Sequence, residues 1–469
     1  MHNHLTEMSR RTFGFGLCGL PFGLRMAAEE RAEWEAMPWN RPATVAKLYL
    51  SGPNTAWPTP LLDEKKEVAE IESNLAVVQK KNAANVRFVG GELIKTAEEA
   101  RAWRQRLTGV DGVLIIAIAG GPLGDAIDGL DIPVLYFSRP YAGHTWSAVA
   151  GLQKKHRKIA VVATSNYDDL DPYMAMFRTA HHLRASKVLV ACENAPQRQA
   201  QADAYVNAFG TNIKFIGGKD LKAAFDGADL QEARREAEAF TNGALRVVEP
   251  SPQEILSGLR FYLGMKSLMK QEKANAVTID CFGTLAAKTL PGYPCIAWSK
   301  LNDVGLYGVC EADIASTMTQ MLVTSYAKVP GFVSDPVFDL THNEVIHAHC
   351  VSATKMKGFS AAASPYIIRN HLETNEGAVL QVLMPVDEPV TVARFNGPSS
   401  MLITTGTVTG SVEADRGCRS KIRTRVADAE AWLNNYSAGL HRVVFYGNHL
   451  KDIQRMGRLM GFEVVNEMT

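Results

Sequence analysis

The sequence predicts an α/β protein, with two doubly wound parallel-sheet domains followed by a mainly antiparallel, barrel-like β domain at the C-terminus. Three observations carry this. Strand-length apolar runs alternate with helix-length amphipathic runs from Val45 to about residue 300. One of them, GVLIIAIA over Gly112 to Ala119, is apolar without interruption, as a central parallel strand covered on both faces must be. After Thr354 the texture changes to short runs separated by turn residues, as in antiparallel sheets. The resulting division is 1–43 as a signal and linker, 44–170 as an N-terminal α/β domain, 171–355 as a central α/β domain carrying the candidate carboxylates, and 356–469 as the barrel-like domain with a terminal helix.

In chain order, Ser9-Arg10-Arg11-Thr12-Phe13, the apolar Gly14 to Leu24 and then Ala27-Ala28 resemble a twin-arginine export signal, which implies a periplasmic or exported protein, the alternative being a cytoplasmic one with a polar extension. Val45 to Leu50 is the first strand, Leu62 to Lys80 a Glu/Lys-rich helix, Val86 to Val89 a strand and Glu92 to Leu107 a helix. Val134 to Phe137 and Ile159 to Ala163 continue the series. A second unit opens with strands at Lys187 to Cys192 and Ile213 to Ile216. It continues with a charged helix over Leu221 to Asn242, a helix from Pro250 to Met269 capped by Ser251, and a strand over Ala276 to Ile279. That strand runs into an Asp280-Cys281-Phe282-Gly283-Thr284 loop, which lacks the second aspartate of a phosphatase nucleophile motif. Further on, Ala378 to Leu383, Val390 to Phe395, Met401 to Val408 and Lys421 to Val426 read as antiparallel strands of a small barrel or sandwich. Ala427 to Asn434 reads as a helix, Leu440 to Asn448 as a strand entering a turn, and His449 to Met460 as the last helix.

Composition narrows the function. Lys+Arg (50) and Asp+Glu (49) balance, so no global field attracts nucleic acid or anionic lipid, and no apolar run reaches the length of a membrane span. The seven cysteines contain no Cys-x-x-Cys and are odd in number, so neither a zinc knuckle nor a disulfide framework is expected. A dinucleotide site is not supported, because no G-x-G-x-x-G joins a strand to a helix.

The chemistry concentrates between Gly305 and Cys350. Glu311 and Asp313 precede Ile314, Met318, Met321 and Leu322, which recur at helical spacing, so both carboxylates lie at the positive end of a helix. Asp335 follows the Pro330-Gly331 turn and a short apolar run. Val345-Ile346 then delivers His347 and His349, which share one face if the run is a strand. Carboxylates and imidazoles converging in this way form a shell for a divalent cation, although caps and ordinary core histidines use the same residues. His441, on a distant apolar run, is either a satisfied histidine or a further ligand.

Taken together, Pro294-Cys295-Ile296-Ala297, the Cys-Glu-Ala-Asp of 310–313, Asp335, Asn343 to Cys350 and Leu440 to His449 resemble the L-fucose isomerase and L-arabinose isomerase superfamily. The resemblance covers Ala276 to the C-terminus in motifs and the preceding units as architecture. It implies a metal-dependent aldose-ketose isomerase acting on a monosaccharide through an enediolate, with Mn2+, or another divalent cation such as Mg2+ or Co2+, held by Glu311, Asp335 and His441. His349 matches a histidine that the arabinose enzymes also use as a ligand, and Glu311 and Asp335 are the implied proton-transfer groups. The family more often has His-His where this chain has Leu440-His441, and Gly-Asp where it has Gly447-Asn448. A homo-oligomer with a small-molecule sugar substrate, no nucleic acid and no membrane span is the corresponding expectation. Two other readings share the same shell: a lyase or epimerase on a modified sugar, and a non-catalytic sugar-binding protein.

Overall fold

The apolar runs of the first third form five parallel strands, β1 (Ala43–Ser51), β2 (Val86–Ile94), β3 (Gly112–Ala119), β4 (Val134–Ser138) and β5 (Ile159–Ala163), in the spatial order β2-β1-β3-β4-β5. The GVLIIAIA run is β3, central and buried from Gly112 to Ile118. Its alternate faces feed two apolar clusters, one on each side of the sheet. Full burial of such an aliphatic side chain contributes about 1.5–3 kcal/mol. The helix expected from Glu92 starts later, at Ala97, because β2 continues to Ile94 and Thr96 with Glu99 closes a capping box ahead of Ala97–Arg106. The computed structural model describes residues 33–52, 62–155, 158–193, 195–286 and 290–469. The export-signal segment, Ser9 to Ala28, therefore lies outside the described residues, and among those described no helix is long and apolar enough to cross a membrane.

The second unit carries β6 (Lys187–Ala191) and β7 (Asn212–Ile216), then the short β8 (Arg246–Val247), then β9 (Ala276–Ile279) and β10 (Tyr307–Cys310). Four of these form a parallel sheet in the order β10-β9-β6-β7. The single charged helix expected over Leu221 to Asn242 is two, Gly218–Asp226 and Leu230–Gly243. The chain breaks at Gly227, and the Asp229 side chain accepts from the N–H groups of Gln231 and Glu232, which starts the second helix. Ser251 caps Pro252–Glu272 as expected. The Asp280 to Thr284 segment winds into a short helix, Cys281–Ala286, instead of remaining a loop.

The last unit is a closed antiparallel barrel. Six strands, β11 (Phe332–Asp339) and β12 (Glu344–His349) followed, beyond a hairpin of β13 (Tyr366–His371) and β14 (Glu376–Val382), by β15 (Pro389–Phe395), β16 (Ser400–Ser411), β17 (Ser420–Val426) and β18 (Arg442–Tyr446), pair in the order β15-β18-β11-β12-β17-β16. The β15–β16 pairing closes the ring, and β19 (Glu463–Asn466) adds a parallel strand to β16. Two barrel strands thus come from residues 332–349. The Ala378 to Leu383 run, expected among the barrel strands, instead joins β13 and β8 in a separate three-stranded sheet. Arg369 on β13 holds that sheet to Glu249, just beyond β8, at 2.6 Å.

Helix Ile314–Ala327, buried from Ile314 to Ser325, packs against both the second sheet and the barrel. It is not apolar throughout: the buried Thr317, Thr319 and Ser325 hydroxyls donate to the carbonyls of Asp313, Ala315 and Leu322 within the helix, which lets these residues be buried there. Its N-terminus brings the end of β10 to the mouth of the barrel, and that seam positions the site.

Candidate metal centre

The junction between β10 and helix Ile314–Ala327 is backbone-strained. Glu311 and Ala312 both adopt left-handed conformations, with φ of 65° and 48°, and neither is glycine. Such residues cost on the order of 1–3 kcal/mol each and persist only where their surroundings over-determine them. Here the Ala312 N–H donates to Ile279 O at 2.9 Å, its carbonyl accepts from Arg198 at 2.9 Å, and its side chain is fully buried. The turn lifts Glu311 out of the strand and aims its carboxylate at the barrel.

Asp313 is a helix cap, one of the two roles its position suggested, and it does a second job besides. It caps the helix, accepting from the Ser316 N–H at 3.0 Å, and accepts a second bond from Ser316 Oγ at 2.9 Å. Arg394 of β15 donates to it at 2.6 Å, and the His441 Nδ1–H donates to its Oδ2 at 2.8 Å. Burial alone would raise the Asp313 carboxyl, but His441 and Arg394 hold it well below the usual carboxylate range. Asp313 thus fixes the tautomer and plane of the His441 ring, leaving Nε2 to point into the seam.

His441 precedes β18 in a loop that two arginines hold. Arg394 Nε donates to Ala438 O at 2.6 Å, and the fully buried Arg442 donates to the carbonyls of Ser437, Gly439 and His441 while pairing with Glu467 at 2.5 Å. Neither arginine was singled out from sequence. The available signal was a charged residue inside an apolar strand run, since a buried guanidinium requires acceptors.

Four predicted residues meet at this point. Glu311, His349 and His441 each present one ligand atom, all within 4.8 Å of one another. Asp335 Oδ1, on β11, lies 3.5 Å from His441 Nε2. His441 Nε2 is 3.3 Å from Glu311 Oε2, and His349 Nε2 is 3.6 Å from Glu311 Oε1. His347 does not join them. It shares the β12 face of His349 but bonds Ser334 Oγ and Thr424 Oγ1, both at 3.1 Å, inside the barrel. Burial, with Arg442 nearby, pushes its pKa down to about 3.

The side chains of His349 and His441 are each 5% exposed, and yet both ring nitrogens of His349, Nε2 of His441 and Oδ1 of Asp335 are buried without any hydrogen bond. Buried polar atoms are nearly always paired, so unpaired atoms on three neighbouring side chains, His349, His441 and Asp335, mark a place built for a ligand. Oxygen and imidazole donors with one oriented histidine fit a divalent cation of the Mn2+, Fe2+, Co2+ or Zn2+ kind. Burial raises Glu311, but His349 and His441 outweigh it and hold the carboxyl low, whereas burial prevails at Asp335 and raises it. Burial lowers His441, but the carboxylates of Asp313 and Glu311 beside it lift it to about 10.

A cavity of about 200 Å3 opens beside Glu311, Asp335 and His349, walled by Phe282, Tyr293 and His371. A scan of protein-family models matches none to this chain, and a search of curated proteins gives no match either.

Proposed function

We propose that the chain is a metal-dependent aldose-ketose isomerase of the L-fucose and L-arabinose isomerase type, with its active centre at the seam between the second sheet and the barrel. The observation that carries this reading is the set of buried, unpaired donor atoms of His349, His441 and Asp335 around the Glu311 carboxylate. Glu311, His349 and His441 are the residues that would hold the cation, with Asp335 adjoining through His441. Bound there, a divalent ion supplies charge stabilisation for the sugar oxygens as the carbonyl moves between C1 and C2.

The chain's own residues do the rest. Moving the carbonyl requires a proton to leave one carbon and arrive at its neighbour. A carboxylate within hydrogen-bond reach performs that transfer. Asp335, close to the cluster yet outside the mutually near set, is free to carry the proton, while Glu311 is fixed by its strained turn. Phe282, Tyr293 and His371 line the space in which a small open-chain polyol would lie, and the cavity is too small for a drug-sized ligand of the ordinary 300–1,000 Å3 class.

Two measurements test the proposal. A panel of aldoses with Mn2+ in deuterated water should show C2 hydrogen exchange and the matching ketose by NMR. Exchange without ketose would move the assignment to an epimerase or lyase, and binding without exchange to a sugar-binding protein. Asp335→Asn, with metal occupancy confirmed, should lose on the order of 10²–10⁴-fold in turnover. Near-normal turnover would refute the site.

A further inference from the structure

Five of the chain's seven cysteines, Cys281, Cys295, Cys310, Cys350 and Cys418, line the cavity beside the candidate metal centre. They arrive from separate segments, so the sequence shows no motif. Two pairs among them stand at the ends of neighbouring strands. Cys310 ends β10 and Cys281 lies two residues beyond β9, the parallel neighbour of β10, so both thiols enter the cavity from adjacent strand ends. Cys350 follows β12 and Cys418 lies two residues before β17, the antiparallel neighbour of β12, where His349 stands opposite Ser420, so this pair too meets at adjacent strand ends on the cavity wall. Each pair adjoins a candidate ligand in the chain: Glu311 follows Cys310, and His349 precedes Cys350.

We infer that these are two oxidisable dithiols, Cys281/Cys310 and Cys350/Cys418, whose conversion to disulfides withdraws Glu311 and His349 from the metal centre. This rests on the metal reading above only for the coupling; the pairing itself is independent of it. The reaction balances with a peroxide as oxidant. Two S–H bonds and the O–O bond break, one S–S bond forms, and the two electrons and two protons leave with the peroxide oxygens as two waters. A disulfide needs about 2.05 Å between sulfurs, well inside the contact distance of two free thiols, so closing either pair draws its sulfurs together by roughly 1–2 Å or more. Cys310 and Cys350 sit next to ligands that must hold their places to within about 0.5 Å, and the backbone transmits the shift to them directly. The cavity gives a small oxidant its route, since Phe282 on its wall is 46% exposed and Leu440 59%.

The test uses the full chain without denaturant. Hydrogen peroxide is added, remaining thiols are alkylated, and peptides are mapped by mass spectrometry, with Mn2+ affinity measured by titration calorimetry before and after. The expected result is cross-links Cys281–Cys310 and Cys350–Cys418, with Cys295 still a thiol, and a loss of roughly 10–100-fold in Mn2+ affinity that a reductant reverses. Prior loading with Mn2+ should slow both cross-links. Cys281→Ser with Cys418→Ser should leave the Mn2+ affinity of the reduced protein unchanged and remove its sensitivity to peroxide. Thiols that stay free, cross-links between other partners, or both disulfides formed with Mn2+ affinity intact would each overturn the inference. A reduced protein that binds no Mn2+ would overturn the metal reading and the coupling with it, while the peptide map would still report on the pairing.

Discussion

Two buried constellations in this molecule are built from the same three residue types. In one, Asp111 accepts from His181 Nδ1 at 2.9 Å, from Arg41 at 2.8 Å and from the Thr44 N–H at 2.7 Å. In the other, Asp313 accepts from His441 Nδ1, Arg394 and the Ser316 N–H. They differ at a single atom. His181 Nε2 faces the Pro38 carbonyl at 2.9 Å, whereas His441 Nε2 has no hydrogen bond and sits among the oxygens of Glu311 and Asp335. The first set is closed and ties the segment before β1 to helix Asp171–Ala185; the second is open on the side where a cation would enter. Residue type and burial do not distinguish structure from chemistry here, but the unspent nitrogen does.

Substitutions at the two aspartates should separate those roles. Asp111→Asn breaks a buried charged set and should destabilise the protein by about 3–5 kcal/mol in urea unfolding, with Mn2+ affinity untouched. The effect has a defined pH dependence. Burial raises Asp111, but His181, Arg41 and the Thr44 N–H outweigh it and hold the carboxyl well below its ordinary value of 3.8. A carboxylate depressed on folding stabilises fully above the unfolded value and loses that contribution as pH falls toward the folded one. The gap between wild type and Asp111→Asn should therefore be full at pH 6 and shrink steadily below about pH 4. A gap that stays constant with acidification would contradict the assignment.

Asp313→Asn should act chiefly through metal. It permits the wrong His441 tautomer and should weaken Mn2+ binding by roughly 10–100-fold in calorimetry, about 1.4 kcal/mol per tenfold. Equal Mn2+ affinity in wild type and variant would place His441 outside the centre. The smallest effect belongs to His347→Gln. Its ring is satisfied within the barrel, so the change should cost about 1 kcal/mol in stability and leave Mn2+ affinity within about twofold. A large loss of metal binding there would mean that the β12 histidines act together.

The parts of the fold that could be read in advance were those with local signals. The β3 run, the Ser251 cap and the β12 strand that carries His349 each depend on a few adjacent residues. Asp335, His349 and His441 stood out as candidate ligands, but the tertiary closeness of β10, β11, β12 and the turn before β18 leaves no trace in spacing. The barrel membership of β11 and the departure of β14 to another sheet depend on long-range pairing, which alternation cannot encode. The same limit hid the second role of Asp313. A helix cap and a histidine orienter have one sequence signature, and only the position of Arg394 and His441 reveals that one side chain does both. The cysteines were scattered in sequence for the same reason.

Glu311 reaches the centre from the turn after the second sheet, whereas Asp335, His349 and His441 reach it from the barrel. No single folding unit holds a complete set of donors. The centre therefore exists only when the two are docked, and any motion that opens the seam by a few ångströms dismantles it outright. A cation bound as proposed would report directly on whether the two halves have docked, and would in turn fasten them.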